Sequence, residues 1–134
     1  MKVKLNDVID SLDMVDNQIE YYYNPLTNEF FPSNIGDYEN LNEDELDDLF
    51  LNSIILPTKY EIDEYRILND FILTIKDTKI SDELLSKIKG KGVFRRFKDT
   101  LIKFNIIQDW YDFRQEQYKI IAVNWCNKNN IEFE

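Results

Sequence analysis

The second half of the chain repeats apolar residues every three or four positions, which is the spacing of one face of an α-helix. The pattern is clearest after Pro57, where it predicts a core helix, and it continues through three further segments. Ser81 is expected to cap the next helix and Gly90 to end it, because these residue types favour helix starts and ends. The last two helices are predicted over about residues 93–104 and 108–129. The apolar face of the first of these is expected to hold Phe94, Phe97, Leu101 and Phe104.

The first half of the chain is mixed. Residues 19–23, apart from Glu20, and residues 30–31 are aromatic or β-branched, and the segment between them has turn residues at each end, which predicts a β-hairpin. Asn42 and Glu45 have the spacing of a capping box at the start of an acidic helix. The predicted fold class is α+β, mostly helical, with an N-terminal β-hairpin and an acidic helix packed on a C-terminal four-helix segment. The length suits a single domain, residues 1–134.

Charge is distributed unevenly along a chain whose net charge is −10. Residues 1–64 hold 3 Lys and Arg against 16 Asp and Glu, whereas residues 87–103 hold 7 against 1. The acidic balance disfavours general nucleic-acid binding, because a polyanion is repelled at long range. The basic segment 87–103 is still suited to a small anion or an acidic partner.

The chain has no histidine, which excludes Ser-His-Asp and Cys-His catalysis and histidine metal sites. A zinc site needs several Cys or His ligands, and Cys126 is the single cysteine. We therefore expect Cys126 to be a buried structural thiol, and we expect no cofactor. The abundant carboxylates predict a solvated acidic face or a docking surface for a basic partner.

The sequence predicts a cytoplasmic protein with no membrane contact. No stretch approaches the roughly 18 apolar residues of a membrane-spanning helix. The start, MKVKLNDVID, has no apolar run after its lysines and is not a secretory signal. A single cysteine fits a reducing compartment.

The stretch from Gly90 to Lys98 is the strongest candidate for a binding site. Glycines precede a helix whose first turns are basic, and helix N-termini attract anions. The candidate residues for binding an anion or a partner are Lys91, Arg95, Arg96 and Lys98. The alternative is structural: Gly90 ends one helix, Gly92 lets the chain turn, the phenylalanines lie in the core, and the arginines face water or pair with Asp99.

Arg114 is a separate candidate. On a helix, it falls among apolar side chains, so its guanidinium must stack on aromatic rings or pair with a carboxylate. Glu61, Asp63 and Glu64 are the candidate partners. A contact with a ligand is the alternative.

Four segments occur along the chain in the order KLNDVIDSLDM, LPTKYEIDEYRILNDF, GKGVFRRFKD and DWYDFRQEQYKIIAVNWC. In that order they resemble uncharacterised protein family 0158, a family of small, mainly bacterial proteins, over most of the chain. The blocks around Arg95 and Arg114 are the most specific. Lys91 departs from the arginine that is more usual between the glycines, which keeps the charge but loses the bidentate geometry. The resemblance implies no activity, cofactor or site.

These features predict a non-catalytic interaction or regulatory protein with an unknown protein partner. The first alternative is a binder of a phosphorylated ligand or nucleic acid through residues 87–103. The second alternative is an Asp/Glu-dependent metal hydrolase.

Overall fold

The structure is a computed structural model that describes residues 2–134. It is 60% helical and has a small antiparallel sheet near the N-terminus, which confirms the α+β, mostly helical class. A short 3₁₀ helix lies at Ile35–Asp37. The other elements, in chain order, are α1 (Leu5–Met14), β1 (Tyr21–Asn24), β2 (Glu29–Pro32), α2 (Glu43–Leu51), β3 (Ile54–Ile55), α3 (Lys59–Ile62), α4 (Glu64–Thr74), α5 (Thr78–Lys87), α6 (Val93–Lys103) and α7 (Ile107–Lys128).

The chain divides into two compact units. Unit 1 comprises Met1–Asp63 with Tyr118–Glu134, and unit 2 comprises Glu64–Gln117. The first boundary falls at Asp63, whose backbone is left-handed with φ of 55° and which separates α3 from α4. The single helix predicted after Pro57 is therefore wrong in detail, because the chain forms two helices there. That residues 1–134 form one domain stays a prediction from the chain length.

Unit 1 contains a three-stranded antiparallel sheet with the strand order β2-β1-β3. β1 and β2 form the predicted hairpin, in which Tyr22 lies opposite Phe31. At its turn, the side-chain carbonyl of Asn24 accepts from the backbone N–H of Leu26, which is the local bond that makes Asn a turn residue. β3 escaped prediction because two residues are too few to show an alternating pattern.

The core of unit 1 includes one face of α1 and the last turns of α7. Leu12 of α1 is fully buried. Trp125 of α7 lies edge-on to Tyr23 of β1, with ring centroids 6.1 Å apart. Its indole N–H donates to the carbonyl of Ile55 at 2.8 Å, which ties α7 to β3. Cys126 is also fully buried, as expected for a structural thiol, and this burial raises the pKa of the thiol.

The core of unit 2 is aromatic. Trp110 of α7 lies edge-to-face with Phe97 of α6 and Phe71 of α4, at centroid distances of 5.0 and 5.5 Å. Phe113 packs against Phe71 at 5.4 Å. Trp110 is 1% exposed, and no hydrogen-bond acceptor among residues 2–134 meets its indole N–H.

Helices α2 and α5 each begin directly after a residue whose side chain accepts hydrogen bonds from free backbone amides of the first turn. The predicted capping box is present at α2, where the Asn42 side chain accepts from the N–H of Glu45 and the Glu45 side chain accepts from the N–H of Asn42. The prediction for Ser81 is wrong, because α5 begins at Thr78 and its N-cap is Asp77. The Asp77 carboxylate accepts from two backbone amides of the first turn, whereas the Ser81 hydroxyl donates to the carbonyl of Thr78.

Candidate binding surface

The connection between α5 and α6, together with the first turns of α6, forms a basic turn that we define as residues 87–98. α5 ends at Lys87, and Gly90 and Gly92 follow with φ values of 78° and 75°. Non-glycine residues rarely adopt this left-handed region. The predicted role of Gly90 in ending the helix is therefore close to its observed role, although Gly90 lies three positions beyond Lys87, the last helical residue. Gly92 is the N-cap of α6.

Arg96 holds the basic turn together from inside. Its Nε donates to the carbonyl of Lys87 at 3.0 Å, and its Nη1 and Nη2 donate to the carbonyls of Lys91 and Lys89. The last carbonyls of a helix have no partner within the helix and carry partial negative charge. The guanidinium therefore satisfies the end of α5 and fixes the path of the chain into α6.

Gly92 leaves the space that this arrangement needs. A Cβ atom at position 92 would lie 3.2 Å from Nη1 of Arg96. That distance is tighter than ordinary van der Waals contact, so a side chain there would press on the guanidinium as well as strain the backbone. The two glycines and Arg96 form one structural arrangement.

The other cations of the basic turn face solvent. Lys87, Lys89, Lys91, Arg95 and Lys98 are all exposed. Within residues 2–134, the structure shows no ion pair for Lys91, Arg95 or Lys98. The pairing of the arginines with Asp99, considered from the sequence, does not form. The turn therefore presents a cluster of positive charge that the protein itself does not neutralise.

A charged groove of about 310 Å³ lies beside the turn, between α5 and α6. Lys103 pairs there with Glu83 at 2.6 Å. The Thr100 hydroxyl donates to the carbonyl of Arg96, and Asp99 also lines the groove. The groove is therefore lined by charges of both signs, with Lys87 and Arg96 as its other cations.

Arg114 has a different role. Its Nε and Nη2 donate to Oε1 of Glu64 at 3.0 and 2.7 Å. The two side chains are 26% and 20% exposed, so the pair is largely shielded from water. The prediction that a carboxylate near residues 61–64 pairs with Arg114 is confirmed. The pair joins α7 to the start of α4 within unit 2, and Arg114 stays only a prediction as a ligand contact.

Phe94 was predicted to lie in the core, but it is an exposed aromatic residue. Phe97 and Leu101 are fully buried, as predicted, but Phe94 is 38% exposed beside Arg95. Ile102, further along α6, is 59% exposed. The helical angle of Phe94 places it at the margin of the apolar face, and only its neighbours in three dimensions decide whether it is covered.

Metal binding and membrane insertion are two further properties that the structure of residues 2–134 addresses. No group of three or more His, Cys, Asp or Glu side chains is placed to hold a metal ion in this part of the chain. No helix among these residues has the length and apolar character to cross a membrane. The Asp/Glu-dependent hydrolase stays a hypothesis.

The chain belongs to the uncharacterised protein family UPF0158, whose family model matches residues 1–134. This agrees with the resemblance found in the sequence. A Pseudomonas aeruginosa relative, UPF0158 protein PA5073, is 24% identical over 67 residues. That match covers 49% of this chain and 44% of the relative, so the chain matches less than half of the relative's length. No solved structure matches the chain.

Proposed function

We propose that this chain is a non-catalytic interaction protein that binds an acidic protein partner through its basic turn. One observation carries the proposal. Arg96 uses its guanidinium to fix the turn from inside, while Lys91, Arg95 and Lys98 remain exposed and without an ion pair in the described residues. The turn is thus a pre-organised cationic surface.

Pre-organisation matters because a binding surface that is already ordered loses less conformational entropy on association. Clustered like charges repel one another, and a partner carrying carboxylates would relieve that repulsion. Such a surface steers an oppositely charged partner and fixes its register, and its effect weakens as salt screens the charges. The acidic remainder of the chain would repel acidic partners that approach elsewhere.

The test uses a fluorescently labelled poly-glutamate peptide and the full-length chain. We expect binding at low ionic strength that weakens as salt is added, measured by fluorescence anisotropy. Replacing Arg95→Ala with Lys98→Ala should weaken binding by about tenfold or more. The matched control is Lys76→Ala with Lys79→Ala, which removes the same charge from exposed positions of unit 2 outside the turn. Equal effects of the two double variants would refute a role for the turn.

A second candidate function is favoured by Phe94. An exposed aromatic ring beside cations is the combination that binds single-stranded nucleic acid, because bases stack on the ring while phosphates meet the cations. In the same assay, a single-stranded RNA oligomer that binds more tightly than poly-glutamate, and that is weakened by Phe94→Ala, would favour this function. Tighter binding of inorganic phosphate would instead favour a small phosphorylated ligand.

A further inference from the structure

α2 exposes an acidic stripe, which we define as Asp44, Asp47, Asp48 and Leu51. At 100° per residue these positions lie within an arc of about 100°. Another side of the helix, about 110° from the middle of this stripe, carries Phe50, which contacts the rings of Tyr22 and Phe31. The three aspartates are exposed, and Leu51 is 83% exposed. α2 thus packs one face on the hairpin and presents three carboxylates followed by a bare leucine.

α6 exposes a basic stripe with the same layout, which we define as Arg95, Lys98 and Ile102. These positions lie within an arc of about 60°. Both cations are exposed, and Ile102 is 59% exposed. Asp99, four residues after Arg95, has the position that Asp48 has in the acidic stripe, and it lines the groove between α5 and α6. α6 therefore presents two cations followed by a bare isoleucine.

The two stripes are complementary when the helices run parallel. Leu51 lies seven residues after Asp44, and Ile102 lies seven residues after Arg95, a rise of about 10 Å in each helix. Parallel alignment therefore places carboxylates against cations and Leu51 against Ile102. In the antiparallel alignment, the charges of one stripe would face the aliphatic end of the other.

From this match we infer that two copies of the chain associate through the acidic stripe of one copy and the basic stripe of the other. The inference rests on the proposed function of the basic turn and names its partner. If a two-fold axis relates the copies, both contacts form at once and give a closed dimer. If not, the contact continues into rings or head-to-tail chains.

Ionic strength determines whether association of the two copies can be detected. Each copy has a net charge of −10, so two copies repel at long range in dilute salt. At about 0.15 M salt the screening length is about 8 Å, which reduces that repulsion while close pairs persist. At about 1 M salt the screening length is about 3 Å, and the paired stripes are weakened as well.

Sedimentation velocity of the full chain tests the pairing. At about 0.15 M salt, we expect association that increases with protein concentration and is lost near 1 M salt. The double variants Arg95→Glu with Lys98→Glu, and Asp44→Lys with Asp47→Lys, should each weaken association by about tenfold or more. Mixing the two variants should restore it, because each then carries the charge that the other lacks. The control Lys76→Glu with Lys79→Glu should associate like the unchanged chain.

The possible outcomes separate this inference from the function on which it rests. A chain that stays monomeric at all concentrations, yet binds poly-glutamate through Arg95 and Lys98, overturns the self-pairing and leaves the proposed function in place. A chain that shows neither behaviour overturns both. Association that neither charge-reversed variant weakens, or that the mixture of variants does not restore, also overturns the inference. Closed dimers and larger species both support it.

Discussion

Unit 1 and unit 2 use charged residues in different ways. Unit 1 holds 5 Lys and Arg against 17 Asp and Glu, whereas unit 2 holds 11 against 9. In unit 2, ion pairs join different helices: Arg114 of α7 meets Glu64 of α4, and Lys103 of α6 meets Glu83 of α5. Where both signs are plentiful, side-chain charges can connect one element to another.

In unit 1, carboxylates act on the backbone next to them. Asp16 accepts from the N–H groups of Gln18 and Ile19, which lowers the pKa of its carboxyl group. Glu45 and Glu61 complete capping boxes with residues three positions away. With few cations nearby, an acidic residue can stabilise a helix start or a turn, but most of its charge remains directed to solvent. The comparison indicates that ion pairs between helices contribute to the tertiary structure of unit 2, whereas these carboxylates of unit 1 stabilise the backbone next to them.

The largest effect is expected for the aromatic core of unit 2, which does not depend on charge. Phe97→Ala should lower the free energy of unfolding by about 3–5 kcal/mol, because it removes a fully buried ring and leaves a cavity against Trp110. Phe94→Ala, on the same helix, should cost less than about 1 kcal/mol, since that ring is partly exposed. Urea unfolding measures both, and similar losses would contradict the assignment of Phe97 to the core.

The next largest difference in the free energy of unfolding is expected between variants of Arg95 and Arg96, the adjacent arginines of the basic turn. Arg96→Ala removes donors to three carbonyls and should lower the free energy of unfolding by about 1–3 kcal/mol. Arg95→Ala should change it by less than about 0.5 kcal/mol, because the side chain is exposed. Arg96→Lys should restore little of the loss, since a lysine cannot span the three acceptors. Equal urea midpoints for the two alanine variants would exclude a structural role for Arg96.

Two ion pairs of unit 2 should contribute differently to stability because they differ in burial. Glu64→Gln removes the negative charge that the Arg114 guanidinium meets at 2.7 Å and should cost about 1–2 kcal/mol. The pair of Arg66 and Asp70 is a matched surface pair, with side chains 75% and 45% exposed. Asp70→Asn should therefore cost less than about 0.5 kcal/mol. Thermal or urea unfolding measures both, and a larger loss for Asp70→Asn would contradict the shielding argument.

Patterns that repeat along one element made much of this fold predictable. The periodicity of α6 placed Phe97 and Leu101 correctly, and the spacing of Asn42 and Glu45 located the start of α2. The prediction that Ser81 caps α5 was wrong because Asp77, an equally good cap that lies earlier in the sequence, accepts from the free amides of the first turn. A single sequence cannot rank two such caps that lie four residues apart.

The candidate site was predictable as a segment but not as a set of roles. Composition located the cluster of cations and could not distinguish Arg95 from its neighbour Arg96. Their difference arises from the path of the chain at Gly90 and Gly92, which brings three carbonyls around one guanidinium. The ion pair of Arg114 was easier to predict, because a charge among apolar positions of a helix requires a partner.

The smallest effect is expected at alkaline pH and concerns unit 1. Burial raises the pKa of Cys126 above its ordinary value of 9.0 and that of Tyr23 above 10.0. Above pH 9.0 the unfolded chain loses the thiol proton while the folded chain keeps it, so the folded state binds more protons and its stability falls as pH rises. Urea unfolding at about pH 8 and about pH 10 should show a larger decline for the unchanged chain than for Cys126→Ala. Equal declines would mean that Cys126 does not contribute, and the alkaline loss would then come from groups common to both chains.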